Sequence, residues 1–416
     1  MKAKIHFFTL LLFISLSTHS QDIAYAKNVI DTLCTTFFNG RGYAYSGDSL
    51  AADYLKNELT NFTDEVIYQH FSLSVNSLHG ESFFSIGEDS MAIGKDYLPS
   101  AFSCPVSDTF EYVVFDKDIY YNKSNFRKFL QQDHFGQVLI IDTTGIDTPE
   151  FKDFYPYIVR LNYFGAAGIV ELTEHLPPAV PASEKKDFFF VRLVKDKFSD
   201  NGNQVFITIE NKFTPEYKTR NIIAKIGGTS DSALVFTAHY DHVGSLDSAV
   251  FIPGANDNAS GTAMVLNLAK YFAEQDNAYT MYFILFSGEE LGLKGSQFYA
   301  DHPVFPLNKI KFLINLDMVG SGSKGIQVVN GSVHPSYFNR LQALNAGNNF
   351  LPAIKIRGAA ANSDHYPFHA KGVKSFFIYT LGEYKEYHNI NDRAEALPLT
   401  KFEPLMKLLI AFSNEF

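Results

Sequence analysis

The sequence contains only two cysteines, Cys34 and Cys104, and no tryptophan among its 416 residues. So few cysteines exclude a cysteine-rich metal motif, and any metal site must therefore use histidine and carboxylate side chains. A disulfide between the two cysteines stays open, because the sequence cannot show whether their Cα atoms approach closely enough.

Positive charge is also in short supply. The 35 Lys and Arg residues are outnumbered by 45 Asp and Glu, which gives a formal net charge of −10. A nucleic-acid partner is not expected, because phosphate binding needs a basic face, and anionic membranes are disfavoured for the same reason. Apolar residues make up 46% of the chain, as in a globular protein with a substantial core.

The first residues, 1–20, have the pattern of a signal peptide. Lys2 and Lys4 give a positive start, residues 7–16 are mostly apolar, and small residues precede a cleavage point before Gln21. The apolar run is too short to span a bilayer comfortably, and no later segment is long and apolar enough to cross a membrane, so we expect no stable membrane insertion after cleavage. The pattern predicts export to the periplasm or the extracellular space.

The last part of the chain alternates strands with helices. Continuous apolar strands are predicted at residues 233–238, 279–286, 310–316 and 373–379, with helices at residues 260–272 and 397–412. This alternation indicates an α/β fold with a mixed, mainly parallel sheet flanked by helices.

Two regions precede it. Residues 25–60 have helical apolar spacing, interrupted by the glycine-rich residues 39–42. Residues 91–215 contain shorter predicted strands, a helix at residues 154–164 and few candidate ligands. We interpret this second region as an inserted, smaller, β-rich domain without a chemical role.

Polar side chains follow successive strands of the predicted sheet. His239 and Asp241 follow the first strand, Glu289 and Glu290 the second, and Asp317 the third. Ligands of open α/β sheets gather at the carboxyl ends of the strands. The order therefore predicts that these side chains meet at one edge.

Each cluster also has an ordinary explanation when it is taken alone. Asp257 would suit a helix N-cap, the pair Glu289-Glu290 an exposed helix start, and Tyr387-His388 a surface position. Together they favour a metal centre, because zinc binds imidazole nitrogen and carboxylate oxygen. One bridging Asp, two His and two further acids meet the needs of two zinc ions, although such ligands also accept other divalent ions.

Five segments carry a family resemblance. In chain order, AHYDHVG, PGANDNASG, FSGEELGLKGS, NLDMVG and YHNIND resemble the motifs of the co-catalytic di-zinc aminopeptidases, metallopeptidase clan MH. The resemblance covers about residues 218–416 and implies the zinc-dependent exopeptidase fold. It implies that His239 and Asp317 bind one zinc, that Glu290 and His388 bind a second, and that Asp257 bridges both.

The resemblance also implies roles in catalysis. Glu289 would be the general base, Asp241 would orient His239, and Tyr387 would polarise the substrate carbonyl. The peptide bond between Asp257 and Asn258 is expected to be cis. The implied function is that of a secreted zinc-dependent aminopeptidase acting on peptides; the sequence gives no indication of oligomeric state.

The inserted region resembles a protease-associated domain through its VLIID strand and its GAAGIV turn. The implied organisation is a signal peptide (1–20), an N-terminal part of the catalytic domain (21–90), the insert (91–215) and the di-zinc catalytic domain (216–416). Such an insert would restrict substrate entry. Asn389 and Arg393 stand where many relatives have threonine, which bears on the substrate pocket and leaves the metal ligands intact.

Two other functions fit the same fold. A glutaminyl-cyclase-like acyltransferase would bind one zinc, so counting zinc ions distinguishes it. A non-enzymatic binding protein would be expected to have lost ligands, and none of the five is missing here.

Overall fold

The computed structural model describes residues 23–200 and 202–416, so the predicted signal peptide lies outside the described residues. The helices are α1 (Ile23–Leu33), α2 (Gly47–Thr60), α3 (Lys117–Tyr121), α4 (Lys123–Gln131), α5 (Pro149–Leu161), α6 (Gly261–Phe272), α7 (Lys294–Asp301), α8 (Pro335–Asn348), α9 (His365–Ala370) and α10 (Phe402–Ser413). The strands are β1 (Glu65–Ile86), β2 (Asp89–Ser90), β3 (Tyr97–Pro99), β4 (Val106–Phe115), β5 (Val138–Asp142), β6 (Gly168–Thr173), β7 (Phe189–Val194), β8 (Gln204–Ile226), β9 (Ser230–His239), β10 (Gly244–Ser245), β11 (Phe251–Ile252), β12 (Tyr279–Phe286), β13 (Ile310–Leu316), β14 (Gly325–Val329), β15 (Ile354–Ile356) and β16 (Ser375–Leu381).

The main sheet has the order β15-β14-β16-β13-β9-β12-β8. Its centre is parallel, because β12 and β13 both run parallel to β9, and β16 runs parallel to β13. Strands β8 and β14 are antiparallel to their inner neighbours. The prediction of a mixed, mainly parallel sheet is confirmed.

Helices cover both faces of this sheet because the central strands are apolar on both sides. One face packs against α1, α2, α6, α8 and α10 in a single large core. The other face is covered by α7 and α9, through Tyr299 and Phe368. Nearly every residue of α6 is buried, so this helix lies at the middle of the larger core. The site is therefore built on a rigid base.

A long two-stranded ribbon connects the main sheet to a second group of strands. Strands β1 and β8, of 22 and 23 residues, pair antiparallel along most of their length. One end of β8 pairs with β12 and the other end with β4. From β4 the sheet continues through β5, β6 and β7 to β3. Between the two ribbon strands the chain builds α3, α4 and α5 beside these strands, with cores of their own.

Three further observations bear on the sequence expectations. The last helix begins at Phe402 rather than at residue 397, because Leu399 and Lys401 have positive φ angles that a helix does not allow. Cys34 and Cys104 are free thiols, packed against different cores. Among the described helices, none is long and apolar enough to cross a membrane.

Candidate metal centre

The five predicted ligands converge at the carboxyl edge of the central strands. His239 is the last residue of β9, and Asp317 directly follows β13. Glu290 lies in the turn after β12, and His388 lies in the loop after β16. Asp257 lies in the buried turn that leads into α6. The sheet thus brings together side chains that are up to about 150 residues apart in sequence.

The carboxylate of Asp257 lies between the two histidines. Its Oδ1 is 3.2 Å from Nε2 of His239, and its Oδ2 is 2.9 Å from Nε2 of His388. On the first side, Nε2 of His239 is also 3.4 Å from Oδ1 of Asp317. On the second side, Nε2 of His388 is 3.1 Å from Oε1 of Glu290. The two oxygens of one carboxylate therefore face two separate groups of donors.

These donors fit zinc. Donor atoms of Asp257, Glu290 and His388, together with one from His242, lie within 4.8 Å of one another, as do donor atoms of a second group. That group consists of His239, Glu289 and Asp317. Oδ1 of Asp317 is buried and accepts no hydrogen bond from the described part of the chain. Buried carboxylates are stable only when they are paired or bind a cation, and imidazole with carboxylate is a zinc donor set.

The hydrogen bonds of His239 fix which ring nitrogen faces the centre. Nδ1 of His239 lies 3.1 Å from the main-chain oxygen of Asp241. Since a carbonyl oxygen only accepts, Nδ1 carries the proton and Nε2 keeps its lone pair for a metal. The carboxylate of Asp241 is farther away, with Oδ1 at 3.8 Å. It accepts hydrogen bonds instead from the hydroxyl of Tyr43 (2.7 Å) and the amide of Glu289 (3.3 Å).

The adjacent glutamates face different parts of the centre. Burial, together with the charges of Asp364 and Asp317, holds the pKa of Glu289 well above its ordinary value. For Glu290, burial acts to raise the pKa, but the charge of His388 and hydrogen bonds from His388 and His242 lower it to about 2. Because the pKa of Glu289 is raised and that of Glu290 is lowered, Glu289 is suited to proton transfer and Glu290 to metal coordination.

Tyr387 stands over the centre at the wall of an open pocket. Its ring stacks on that of His388 with centroids 3.9 Å apart, and 42% of the residue is exposed. Burial and the charges of nearby acids raise the pKa of Tyr387, so the phenol stays protonated and can donate a hydrogen bond. The pocket is lined by Asp257, Glu289, Asp317, Met318, Asn362, Phe377, Tyr379 and Tyr387.

Several supporting residues had no assigned role in the sequence. Oxygens of Asp392 accept hydrogen bonds from the amides of Asn256 and Asp257, and the peptide bond after Asp257 is cis, as expected. The hydroxyl of Ser363 donates to Oδ2 of Asp317 (2.9 Å). Nδ1 of His242 lies 2.7 Å from Oε1 of Glu290. The supporting roles of His242 and Asp392 could have been predicted, because both residues lie inside the recognised motifs. Ser363 lies outside the motifs, so the sequence contains no such signal for it.

Arg41 supports the same turn from the glycine-rich break between α1 and α2. It is fully buried, and its guanidinium donates to the main-chain oxygens of Pro253, Gly254 and Asp257, among others. Because all its acceptors are backbone atoms, no partner side chain marks this role in the sequence.

Part of the chain is similar in sequence to known proteins. Residues 221–413 match the family described as peptidase family M28. Aminopeptidase YwaD of Bacillus subtilis is 35% identical over 187 residues, 42% of this chain and 39% of that protein. A probable leucine aminopeptidase of Trichophyton verrucosum is 31% identical over 178 residues, 40% of this chain and 47% of that protein. The chain thus spans less than half the length of these curated relatives.

The fold itself matches solved structures over nearly its whole length. The structure of BSAP, a zinc aminopeptidase from Bacillus subtilis, covers 94% of both chains with a TM-score of 0.72 and 21% identity. A peptidase M28 precursor from Shewanella amazonensis gives a TM-score of 0.69 over 95% of this chain and 93% of that one, with 17% identity. Residues 221–413, which match peptidase family M28, hold all five motifs.

Proposed function

We propose that the protein is a zinc-dependent aminopeptidase that removes N-terminal residues from peptides. The observation that carries the proposal is the position of Asp257, whose two oxygens face His239 and His388 separately. His239 and Asp317 would hold one zinc, Glu290 and His388 the other, and Asp257 would bridge them. When bound, a zinc pair lowers the pKa of water and stabilises the oxygens of a tetrahedral intermediate.

Two residues of the chain then handle the proton and the substrate carbonyl. Glu289 accepts the proton of the attacking water, since its raised pKa suits a group that takes up and returns a proton. Tyr387, protonated and at the pocket wall, donates a hydrogen bond to the substrate carbonyl oxygen. Both side chains border the pocket that also contains Asp257 and Asp317.

The carboxylates of the pocket suit a substrate with a free amine. Asp257, Glu289 and Asp317 line one pocket. Two zinc ions would offset most of their negative charge, so a free amine is recognised as a hydrogen-bond donor to carboxylate oxygens, and acetylation removes donors and adds bulk. The aromatic rings of Phe377 and Tyr379 also line the pocket, which suits an apolar side chain at the end of a peptide.

Export and domain organisation complete the proposal. The pattern of residues 1–20 supports secretion to the periplasm or the extracellular space. Residues 91–215 would form an inserted domain of the protease-associated type. The supporting observation is that β4 to β7 have cores separate from the larger core around α6.

The test compares matched substrates that differ only at the amine. An aminoacyl anilide should be hydrolysed by zinc-reconstituted protein, and its N-acetyl derivative should be hydrolysed far more slowly, as expected when a required group is blocked. Equal rates for both substrates would refute aminopeptidase specificity and indicate an endopeptidase or another hydrolase.

A further inference from the structure

One short segment of the inserted region contacts a candidate ligand of the metal centre. Residues 177–182, with the sequence PPAVPA, lie in the loop between β6 and β7, and we call them the strap. Within it, Ala179 is 5% exposed while its neighbour Val180 is 63% exposed. The strap therefore presents a single residue inwards, and that residue contacts His388.

Ala179 makes two hydrogen bonds to His388. Its amide donates to the main-chain oxygen of His388 (2.9 Å), and its own carbonyl oxygen lies 2.8 Å from Nδ1 of the same residue. Since the carbonyl of Ala179 only accepts, Nδ1 must carry the ring proton. With a metal bound between them, Nε2 of His388, the atom that faces Asp257 and Glu290, would then offer its lone pair to that metal.

The backbone of His388 has an unfavourable conformation that its neighbours must stabilise. Its φ angle is +50°, in the left-handed region that residues with side chains seldom adopt. Such a conformation persists where neighbouring structure holds it. The amide of Ala179 binds the carbonyl of this same residue, so the strap holds both its backbone and its ring.

The strap is itself anchored at its far end. The amide of Asn76, a buried residue of β1, donates to the main-chain oxygen of Ala182 (2.8 Å). The side-chain nitrogen of Asn76 donates to the oxygens of Ala101 (2.7 Å) and Ser103 (3.0 Å). Three of the six strap residues are prolines, whose fixed φ angles limit its motion. Ala179 is therefore held in place independently of the loop that carries His388.

We propose that Ala179 is a positioning residue for metal binding, and that the strap makes the inserted region part of the Glu290–His388 metal site. The inference rests on the proposed two-zinc centre and adds a role for a region expected to take no part in the chemistry. The backbone of Ala179 selects the tautomer of His388 and aims its Nε2, while the His239–Asp317 site has no contact of this kind with the strap among the described residues.

The test measures zinc affinity at the two sites separately. Metal-free wild-type protein and the variant Ala179→Pro, which lacks the donating amide, are titrated with zinc against a competing chelator. Cobalt(II) serves as a spectroscopic probe of coordination in parallel. Pro178→Gly, a milder change, loosens the strap without removing either hydrogen-bonding group. Val180→Ala and Pro303→Gly are controls, since Val180 is an exposed neighbour and Pro303 is exposed far along the chain from the strap.

The expected result is a loss of affinity at one site only. Groups that orient a metal ligand typically contribute about 10–100-fold to affinity, so one zinc should bind at least 10-fold more weakly in Ala179→Pro and, to a smaller extent, in Pro178→Gly. The second zinc and both controls should match the wild type. Unchanged zinc affinities in both Ala179→Pro and Pro178→Gly would overturn the inference. An equal loss of affinity at both metal sites would also overturn it.

The titration measures no turnover, which separates this inference from the proposed function. Wild-type protein that binds two zinc ions and hydrolyses no free-amine substrate would refute the proposed function and leave the role of Ala179 to be decided by the titration alone.

Discussion

At the scale of single residues, the adjacent residues Glu289 and Glu290 have different surroundings, although the sequence alone does not distinguish them. Glu290 has donors of His388 and His242 within 3.1 Å and 2.7 Å of its Oε1. Glu289 groups with His239 and Asp317 and borders the open pocket. Neighbouring side chains on a turn point in different directions, so one residue can bind metal while the next faces the reacting water.

The variants Glu289→Gln and Glu290→Gln should therefore fail differently. Glu289→Gln keeps the size of the side chain and removes the base, so we expect wild-type zinc content with a fall in kcat of about 10²–10⁴-fold. Glu290→Gln should weaken one zinc site, and added zinc should restore part of its activity. Elemental analysis and steady-state kinetics on both proteins provide the measurement. Loss of zinc in Glu289→Gln together with full zinc in Glu290→Gln would mean that the two roles are reversed.

At the scale of elements, the site depends on how firmly the helices hold the sheet. Helix α6 follows the turn that contains Asp257, and Leu268 in that helix is fully buried in the larger core. Leu161, in α5, is 66% exposed. The two leucines thus give a matched pair for testing the contribution of α6.

Leu268→Ala should lower the free energy of unfolding by about 2–5 kcal/mol, because it removes buried methyl groups and leaves a cavity. Leu161→Ala should change it by less than about 0.5 kcal/mol, as is usual for exposed positions. Urea denaturation of the two zinc-saturated variants beside the wild type checks the difference. Similar midpoints for both variants would show that α6 is not part of the stabilising core.

The elements that the sequence predicted share a local signal. Strands β9, β12 and β13 are continuous apolar runs because helices cover them on both faces, and their predicted positions agree closely with the structure. Strand β1 was not predicted as a strand, since buried and exposed residues mix along it and its pairing with β8 is interrupted by register shifts. Its partner is also more than a hundred residues away in sequence. Pairing over such a distance leaves no local pattern.

The same distinction applies to the candidate site. The candidate ligands His239, Asp317 and His388 were predicted because they occur in motifs at strand ends or in loops, and the structure brings them together. Arg41 and Ala179 were not found, because each acts on main-chain atoms. A residue whose role depends on backbone hydrogen bonds across the fold has no characteristic side-chain partner in the sequence.

At the scale of the whole molecule, bound metal should contribute to stability. Bound cations would relieve the mutual repulsion of four carboxylates that lie close together at the centre. These carboxylates belong to Asp257, Glu289, Glu290 and Asp317. Ligands that bind only the folded state stabilise it, by about 2.7 kcal/mol for each site when free ligand is at 100 times Kd.

Removal of metal by a chelator should therefore lower the melting temperature measured by differential scanning calorimetry. Addition of zinc in excess of the chelator should restore the original value. The variant Asp257→Asn, which loses the bridging charge, should show a smaller difference between metal-free and zinc-loaded protein than the wild type. A melting temperature that is the same with and without zinc would show that no metal is bound to the folded state.

The most direct measurement of the two-zinc account is a titration of metal-free protein with zinc while hydrolysis of a free-amine aminoacyl substrate is followed. Activity should rise until two equivalents of zinc are bound per chain and then reach a plateau, because Asp257 faces two donor groups at once. A plateau at one equivalent, with no further zinc bound at saturation, would contradict it and would favour a single-zinc acyltransferase of the glutaminyl-cyclase type.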